Sequence, residues 1–164
     1  MRAVVQRVSA SRVLVAQREI ARTGPGLLAL VGVSRADARA DAEALARRIV
    51  QLRVFEAAEG GAERSLLEVG GELCVVSQFT LCADTGRGRR PSYLDAAAAA
   101  QAEPLVRLLV DTARALGAPV VTGSFGAGMD VELCNRGPFT LLLDTRERSQ
   151  AAESRTGARR VEAP

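Results

Sequence analysis

The first part of the chain alternates short hydrophobic stretches with polar turns. Residues 2–8, 12–16 and 18–22 have the two-residue period of β-strands. The segment "TGPG" at 23–26 predicts a turn, and the unbroken apolar run "LLALVGV" follows it. A run of this kind needs cover on both faces, so we expect it to form a central, buried strand.

Two later stretches have helical spacing instead. Asp37 is predicted to cap a helix that ends near Gln51, and a second helix is predicted with Pro104 in its first turn. Each helix has one apolar face, made of Ala38, Ala42, Leu45, Ile49 and Leu52 in the first and of Leu105, Leu108, Leu109, Thr112 and Leu116 in the second. Both are expected to pack against a sheet.

The rest of the pattern returns to strands. A glycine-rich turn near Gly60 and Gly61 precedes a strand predicted over 73–81, and a polar, arginine-rich loop follows over 83–92. The last strands are predicted near 118–122, 130–135 and 139–144. Because strands outnumber helices, the sequence predicts a mixed α/β domain, built on a mainly antiparallel sheet or open barrel with two packing helices.

Length and composition limit the function classes. The 164 residues fit one domain, and 48% hydrophobic residues with 22 basic and 19 acidic side chains are typical of a globular protein. No apolar run approaches the roughly 20 residues of a membrane span, and the start lacks a signal-peptide pattern. We expect a cytoplasmic protein, with one domain over residues 1–145 and a disordered tail over 146–164.

Several chemistries are excluded by residue type. The chain has no histidine, which excludes catalytic triads that use one, and every one of its 22 cations is an arginine, so a P-loop lysine is also missing. Cys74, Cys82 and Cys134 have no metal-binding spacing and are expected to be reduced core thiols. We therefore expect neither a metal nor a cofactor.

Two polar segments remain as candidates for function. The first is "SQFT" at 77–80, at the end of a predicted strand, and the second is "CNRGPFT" at 134–140, where Gly137 and Pro138 interrupt an apolar strand. A proline in mid-strand removes a ladder donor, so a tight turn between two strands is one interpretation of the second segment. A hydroxyl such as that of Ser77 also often only satisfies a nearby amide.

Four stretches together carry a resemblance to a known family. They are "MRAVVQRV" at the start, "GPGLLALVGV" at 24–33, "GGELCVVSQFTLCADTGRGRRPSY" at 70–93 and "FGAGMDVELCNRGPFTLLLD" at 125–144. In this order and spacing they resemble the D-aminoacyl-tRNA deacylases, the D-tyrosyl-tRNA deacylase family. The resemblance implies a compact α/β domain that forms a homodimer and hydrolyses the ester joining a D-amino acid, or glycine, to the tRNA 3′ end. Gly128 and Arg136 stand at positions where acidic residues are common in the family. These two differences affect the expected contacts at the rim of the site.

The resemblance also implies catalytic roles. By analogy, the main-chain amides around Phe79 and Thr80 hold the ester carbonyl, and the 2′-hydroxyl of the terminal ribose helps to activate the attacking water. Ser77 and Gln78 are then positioning residues. Thr80 is not expected to be a covalent nucleophile, because no histidine or lysine is present to deprotonate it.

Substrate contacts follow from the same resemblance. Gly137 and Pro138, joined by a cis bond, are expected to enter the partner subunit's pocket and exclude L side chains, and Met129 is expected on the pocket floor. Phosphate contacts are predicted for Arg87, Arg89 and Arg90, with an ordinary solvated loop as the alternative. Tyr93 is expected either to stack on the terminal adenine or to pack under this loop.

Two other functions compete with deacylation. One is a non-catalytic nucleic-acid-binding module that uses the same basic loop. The other is a thiol esterase on Cys82 or Cys134, which no histidine supports.

Overall fold

Within the residues described, the chain forms six strands and three helices. The computed structural model describes residues 1–57, 63–86 and 88–146. The strands are β1 Arg2–Val15, β2 Arg18–Thr23, β3 Gly26–Gly32, β4 Glu72–Ser77, β5 Val120–Thr122 and β6 Asp130–Asp144. The helices are α1 Arg39–Gln51, α2 Leu66–Val69 and α3 Ala99–Ala115, with a 3₁₀ turn over Phe79–Cys82. Within these ranges no helix is long and apolar enough to cross a membrane.

Strand β1 organises the sheet. Its first half pairs with β3 and its second half with β2, while β6 runs along its other edge, and all three pairings are antiparallel. Strands β3, β4 and β5 pair in parallel. The sheet curls into a nearly closed barrel, which confirms the predicted mixed α/β fold.

Strand β3 is covered on both faces, as its apolar run predicted. Leu27, Ala29 and Val31 face the core beneath α1 and α3, whereas Leu28 packs with Val8 inside the barrel. None of these side chains is more than 1% exposed. A sheet with two apolar cores therefore forms around this strand.

Strand β1 is longer than expected, because the two predicted strands at its position are one. The polar residues between them do not break it: the Ser11 hydroxyl is buried against the Thr23 hydroxyl of β2, 2.6 Å away. A buried polar group is tolerated when it is hydrogen-bonded, so the strand continues through it.

The start of α1 corrects the predicted cap. Ala38 is the N-cap residue, and its amide donates to the Asp41 carboxylate. The Asp37 carboxylate is engaged elsewhere, because it accepts from the Met1 ammonium group at 2.8 Å and from the Ser34 amide at 2.6 Å. Ala38 is accordingly exposed rather than part of the buried face.

Helix α3 begins earlier than predicted, at Ala99, so Pro104 lies in its second turn rather than its first. The alanine-rich segment before Pro104 has high helix propensity and extends the helix toward the N-terminus. The buried residues of this helix are Ala102, Leu105, Leu109, Val110 and Ala113. Leu108, Thr112 and Leu116 of the predicted face are only half-buried.

A third helix, α2, was not predicted. The Ser65 hydroxyl accepts from the Glu68 amide and the Glu68 carboxylate accepts from the Ser65 amide, at 3.3 and 2.7 Å. This reciprocal cap satisfies the free amides of a single helical turn. The predicted glycine turn at Gly60 and Gly61 lies outside the described residues, as does the predicted tail beyond Arg146.

Strand β6 does not break at the Gly-Pro step. Gln6 pairs with Thr140 and Val8 pairs with Asn135, so residues 136–139 have only Arg7 opposite them. The extra residues form a large bulge within a continuous strand, and the interpretation as a turn between two strands is wrong. The Gly137–Pro138 peptide bond inside this bulge is cis.

Candidate active site

The "SQFT" segment forms a tight turn rather than a strand end. Strand β4 stops at Ser77, before the predicted end at residue 81, and the Gln78 amide donates to the Val31 carbonyl at 2.7 Å. The chain then closes a 3₁₀ turn, in which the Leu81 amide donates to the Gln78 carbonyl at 3.2 Å. Short-range bonds of this kind replaced the predicted strand ladder.

Gly32 of β3 lets this turn pack closely on the sheet. A Cβ atom at Gly32 would lie 2.9 Å from the Leu81 Cβ and 3.0 Å from the Gln78 carbonyl oxygen. Both distances are shorter than normal contacts, so any side chain here would push the turn away. The position of the turn therefore depends on the absence of a side chain at Gly32.

The turn leaves two backbone donors free. In the described part of the chain, the amides of Phe79 and Thr80 have no acceptor. The first amides of a helical turn lack partners within the turn itself, which explains their freedom. The Thr80 hydroxyl is engaged, because it accepts a hydrogen bond from the Gln78 side-chain amide.

A cleft of about 350 Å³ opens beside the turn. Its walls come from the ends of β3 and β4, the start of α3 and the loop before β6. The lining residues are Val31, Val33, Val76, Ser77, Gln78, Phe79, Ala97, Ala99, Ala102, Val106, Phe125, Gly126, Ala127, Met129 and Val131. Of the predicted site residues, Ser77, Gln78, Phe79 and Met129 meet here, whereas Thr80 is not part of the lining. No ionisable side chain lines the cleft among the residues described.

An aromatic pair stands at the edge of the cleft. The Phe79 and Tyr93 rings have centroids 5.2 Å apart and planes at 66°, an edge-to-face contact. The loop between them is closed by reciprocal backbone bonds between Asp84 and Ser92, at 2.8 and 2.9 Å. This closure brings Tyr93 back to the turn that carries Phe79.

The predicted phosphate-binding arginines lie on this loop. Arg89 and Arg90 are exposed, and neither forms an ion pair with any described residue. Arg87 lies outside the described residues. The two described guanidinium groups are thus free to meet an anion.

Gly137 and Pro138 lie away from the cleft of their own chain. Both are exposed on the bulge of β6. The Arg7 guanidinium, at the base of the bulge, donates to the carbonyls of Gly137 at 2.7 Å and Arg136 at 3.1 Å. The structure therefore brings the two predicted motifs to separate places within one chain.

Comparison with known proteins identifies the family of this chain. The profile of the D-Tyr-tRNA(Tyr) deacylase family matches residues 4–144. The chain belongs to the D-Tyr-tRNA(Tyr) deacylase family. This confirms the resemblance drawn from the four sequence segments, and with it the prediction that the chain is an enzyme, a hydrolase.

Relatives in this family are similar over most of their length. The D-aminoacyl-tRNA deacylase of Thermomicrobium roseum is 52% identical over 147 residues, which cover 90% of this chain and 96% of the relative. That of Symbiobacterium thermophilum is 52% identical over 145 residues, 88% of this chain and 96% of the relative.

Two solved structures share the fold. The c-Myc DNA unwinding element binding protein superposes with a TM-score of 0.83 at 35% identity, covering 88% of this chain and 99% of that one. A probable eukaryotic D-amino acid tRNA deacylase superposes with a TM-score of 0.75 at 17% identity, covering 87% of this chain and 98% of that one. The second is a likeness of fold alone.

Arg7 was not predicted as a site residue, although the sequence of this deacylase places a charged residue on a buried strand face. Ala3, Val5 and Arg7 alternate on the buried face of β1, and Arg7 is only 6% exposed. A charged residue at an inward-facing position needs hydrogen-bond partners, which is a reason to look for a site. The small lining residues of α3, such as Ala99 and Ala102, carried no comparable signal.

The thiols do not supply a nucleophile in the cleft. Cys74 and Cys82 are buried, but Cys134 is exposed on β6, so the prediction of core thiols is wrong for Cys134. Burial, reinforced by the nearby Asp37 carboxylate, raises the pKa of the Cys82 thiol. A thiol that stays protonated is a poor nucleophile, and none of the cysteines lines the cleft. A thiol esterase is therefore disfavoured. The described residues also include no cluster of metal-ligating side chains.

Proposed function

We propose that this chain hydrolyses the ester of D-aminoacyl-tRNA and of mischarged glycyl-tRNA, and leaves L-aminoacyl-tRNA intact. The products are free tRNA and the D-amino acid or glycine. The observation that carries the proposal is the pair of free amides, at Phe79 and Thr80, beside a cleft without ionisable side chains in a chain of the deacylase family.

The free amides are the proposed oxyanion site. Ester hydrolysis places negative charge on the carbonyl oxygen, and fixed backbone donors stabilise that charge without any titratable group. Loss of one such donor typically lowers the rate roughly 10²–10³-fold. Ser77 and Gln78 position the substrate, and Met129 contacts it from the cleft wall.

The proposed activator of the water is the substrate itself. Because no described ionisable side chain lines the cleft, a base must come from elsewhere. The terminal ribose carries a 2′-hydroxyl next to the scissile ester, so it reaches the attacking water without help from the protein. Catalysis then rests on positioning and on the amides.

Selection against L-amino acids is proposed to come from a second subunit. Gly137 and Pro138 are exposed on the bulge and do not reach their own cleft, which fits insertion into the cleft of a partner in a homodimer. There their carbonyls face the α-ammonium group and the Cα of the substrate. An L side chain is excluded by these backbone atoms, whereas a D side chain points away and glycine passes.

The exposed face of β6 supports such a dimer. Leu142 is 64% exposed and Leu133 is 37% exposed, which is unusual for large aliphatic side chains on a strand. The other long apolar run, "LLALVGV", is buried within its own chain and gives no support for a dimer. We therefore propose β6 as the dimer interface.

The tRNA acceptor end is the proposed partner of the basic loop. Arg89, Arg90 and, from the segment outside the described residues, Arg87 contact its phosphates, and Tyr93 contacts RNA beside them. Residues 1–145 form the catalytic domain, and the protein acts in the cytoplasm, where its substrate is made.

A second function is favoured by one finding. The solved structure at 35% identity is named as a DNA unwinding element binding protein, and this chain has the same fold. A non-catalytic nucleic-acid-binding module would use the same exposed arginines. It would bind RNA or DNA in a salt-dependent way and leave every ester intact.

One experiment separates the two functions. Purified protein is incubated with D-tyrosyl-tRNA, L-tyrosyl-tRNA and glycyl-tRNA, and ester loss is followed against a protein-free control. Rapid loss of the D-tyrosyl and glycyl esters with an intact L-tyrosyl ester supports the deacylase. Binding to tRNA without ester loss supports the module and rejects the deacylase.

A further inference from the structure

The aromatic pair at the edge of the cleft is unusually exposed. Phe79 is 57% exposed and Tyr93 is 42% exposed, although their rings touch edge to face. Leu94, next to Tyr93, is 79% exposed. Aromatic residues make up only 3% of the chain. Two of them therefore lie on the surface rather than in the core, where aromatic side chains usually contribute most.

The position of the pair is held by backbone bonds, not by burial. The Asp84–Ser92 bonds close the loop before Tyr93, and the 3₁₀ turn fixes Phe79. With the backbone fixed and the rings in mutual contact, the side chains lose less freedom when a planar ligand stacks on them. The pair therefore has the form of a preorganised platform.

The charges beside the platform indicate the kind of ligand. Arg89 and Arg90 lie on the same loop, exposed and without ion pairs to described residues. Aromatic rings next to free guanidinium groups match single-stranded nucleic acid, whose bases stack while its phosphates pair with arginine. An uncharged apolar partner would use the rings but would leave the arginines without a matching anion.

We propose that Phe79 and Tyr93 form a stacking platform for the nucleotide immediately before the terminal one in the tRNA acceptor end. This rests on the proposed function, which places the terminal nucleoside and its ester in the cleft. Phe79 lines that cleft, whereas Tyr93 is outside its lining and on the side of the basic loop. Because the rings meet edge to face, a strand that leaves the cleft past Phe79 toward this loop meets one ring face, that of Tyr93, and its next base stacks there with the Phe79 ring behind it.

The platform would act on binding of the RNA rather than on the chemistry. A stacked base lies away from the ester, so its loss raises KM more than it lowers kcat. It also makes the enzyme prefer a D-amino acid carried by an RNA strand over one carried by a single nucleoside. No base is read by hydrogen bonds in this arrangement, which suits an acceptor end shared by all tRNAs.

The test compares two substrates and four proteins. The substrates are D-tyrosyl-tRNA and D-tyrosyl-adenosine, which lacks the preceding nucleotide. The proteins are the wild type, Tyr93→Ala, Tyr93→Phe and the matched control Leu94→Ala, which removes an exposed apolar side chain next to the platform. For each protein the ratio of kcat/KM on the tRNA to kcat/KM on the nucleoside ester is measured.

We expect this ratio to fall roughly tenfold in Tyr93→Ala, the effect of one lost base–aromatic stack. Tyr93→Phe keeps the ring and should keep the ratio, and Leu94→Ala should behave as the wild type. A tRNA whose penultimate nucleotide is abasic should remove the difference between wild type and Tyr93→Ala, because neither then has a base to stack.

Two results would overturn the platform. One is a wild-type kcat/KM of Tyr93→Ala on both substrates. The other is an equal loss of kcat/KM on both, which also leaves the ratio unchanged and would give Tyr93 only a packing role beside Phe79. The outcome is separable from the proposed function. If the wild type cleaves neither substrate, deacylation itself fails, whereas cleavage with an unaltered ratio rejects the platform alone.

Discussion

The Arg7 guanidinium holds the carbonyl of Gly137 through a hydrogen bond of 2.7 Å, from a strand that lies directly opposite the bulge. Arg7 also donates to the carbonyl of Val54 at 2.6 Å and lies 4.6 Å from the centre of the Phe139 ring. A carbonyl has two lone pairs, so the Gly137 oxygen keeps one for the substrate ammonium group in the proposed filter. The bulge is thus oriented by a residue that itself stays buried.

Arg7→Lys is expected to relax discrimination between D- and L-aminoacyl-tRNA. A lysine cannot reproduce the planar contacts to Gly137, Arg136 and Val54. Each hydrogen bond to a charged group contributes about 1.5–3 kcal/mol, so loss of one that orients the bulge should lower the D-to-L ratio of kcat/KM at least roughly tenfold. The measurement is deacylation of D-tyrosyl-tRNA and L-tyrosyl-tRNA.

Arg12→Lys is the matched control for this change. Arg12 also lies on β1 and also contacts β6, through an exposed ion pair with Glu132 at 2.6 Å. Exposed pairs contribute only about 0–1 kcal/mol, and this one is remote from the bulge. If Arg7→Lys and Arg12→Lys both leave the ratio at its wild-type value, Arg7 does not orient the filter.

Thr80→Ala is expected to retain substantial deacylation of D-tyrosyl-tRNA. The proposed role of Thr80 is its backbone amide, which alanine preserves, while the lost hydroxyl accepts from the Gln78 side chain. We expect kcat to fall by less than about tenfold, well short of the roughly 10²–10³-fold effect of a lost oxyanion donor. Thr85→Ala, in the exposed loop, is the control. Trapping of an aminoacyl group on Thr80 would contradict this mechanism.

A 2′-deoxy terminal ribose is expected to slow hydrolysis sharply. No ionisable side chain lines the described cleft, so removal of the 2′-hydroxyl removes the proposed activator of the water. Positioned proton transfer contributes roughly 10²–10⁴-fold, and we expect a loss in that range. Single-turnover hydrolysis of D-tyrosyl-tRNA with and without the 2′-hydroxyl measures it. Equal rates would show that the RNA plays no chemical part.

Leu142→Glu is expected to convert a dimer to monomers and to lose the rejection of L-aminoacyl-tRNA, because the cleft and its amides lie within one chain while the proposed filter comes from the partner. Leu142 is 64% exposed on β6, and a carboxylate in an apolar interface is strongly unfavourable. Sedimentation at micromolar concentration should show a wild-type dimer and a monomeric variant. Ile20→Glu, at a 42% exposed position on β2, is the control and should remain dimeric. A fully active wild-type monomer would be incompatible with a filter from the partner subunit.

Asp144→Asn is expected to lower stability at neutral pH but not in acid. Burial alone would raise the pKa of the Asp144 carboxyl, but hydrogen bonds from Arg2 and the Arg146 amide outweigh it and hold the pKa below the ordinary value of 3.8. A carboxyl with a depressed folded-state pKa stabilises the fold above its ordinary pKa, and the stabilisation is lost as pH falls through the folded value.

The measurement is the free energy of unfolding in urea from about pH 7 down to about pH 3. The gap between wild type and Asp144→Asn should be constant at neutral pH and should narrow below about pH 4, where Asp residues begin to protonate. Asp111→Asn, at an exposed carboxylate 3.7 Å from Arg114, should change stability little at any pH. A gap of constant size down to pH 3 would argue against the Arg2 pairing as its source.

Local pattern was sufficient for the central elements of the fold. The unbroken run of β3 predicted a doubly covered strand, and the helical spacing of Ala42, Leu45 and Ile49 predicted the buried face of α1. Both predictions depend on the spacing of apolar side chains along a short segment, and that spacing is visible in consecutive residues. The sequence also limited the possible chemistry, because the absence of histidine and lysine excluded the catalytic groups that need them.

Contacts between distant segments decided the rest. Whether Gly137 and Pro138 form a turn or a bulge depends on the register of β6 against β1, and Arg7 meets Gly137 only in that register. The turn at Phe79 depends on the missing side chain of Gly32, and the contact of Tyr93 with Phe79 depends on closure of the loop between them.

The physical reason is the range over which each signal acts. Hydrophobic periodicity and secondary-structure propensity depend only on a residue and its few nearest neighbours in the chain, so they predict local structure. Hydrogen bonds and close approaches are made by particular pairs that are far apart in the chain, such as Met1 with Asp37, which removed Asp37 from its predicted cap. The sequence by itself therefore determined which elements form and which chemistry is possible, while only tertiary packing decided where the amides, the bulge and the aromatic pair stand.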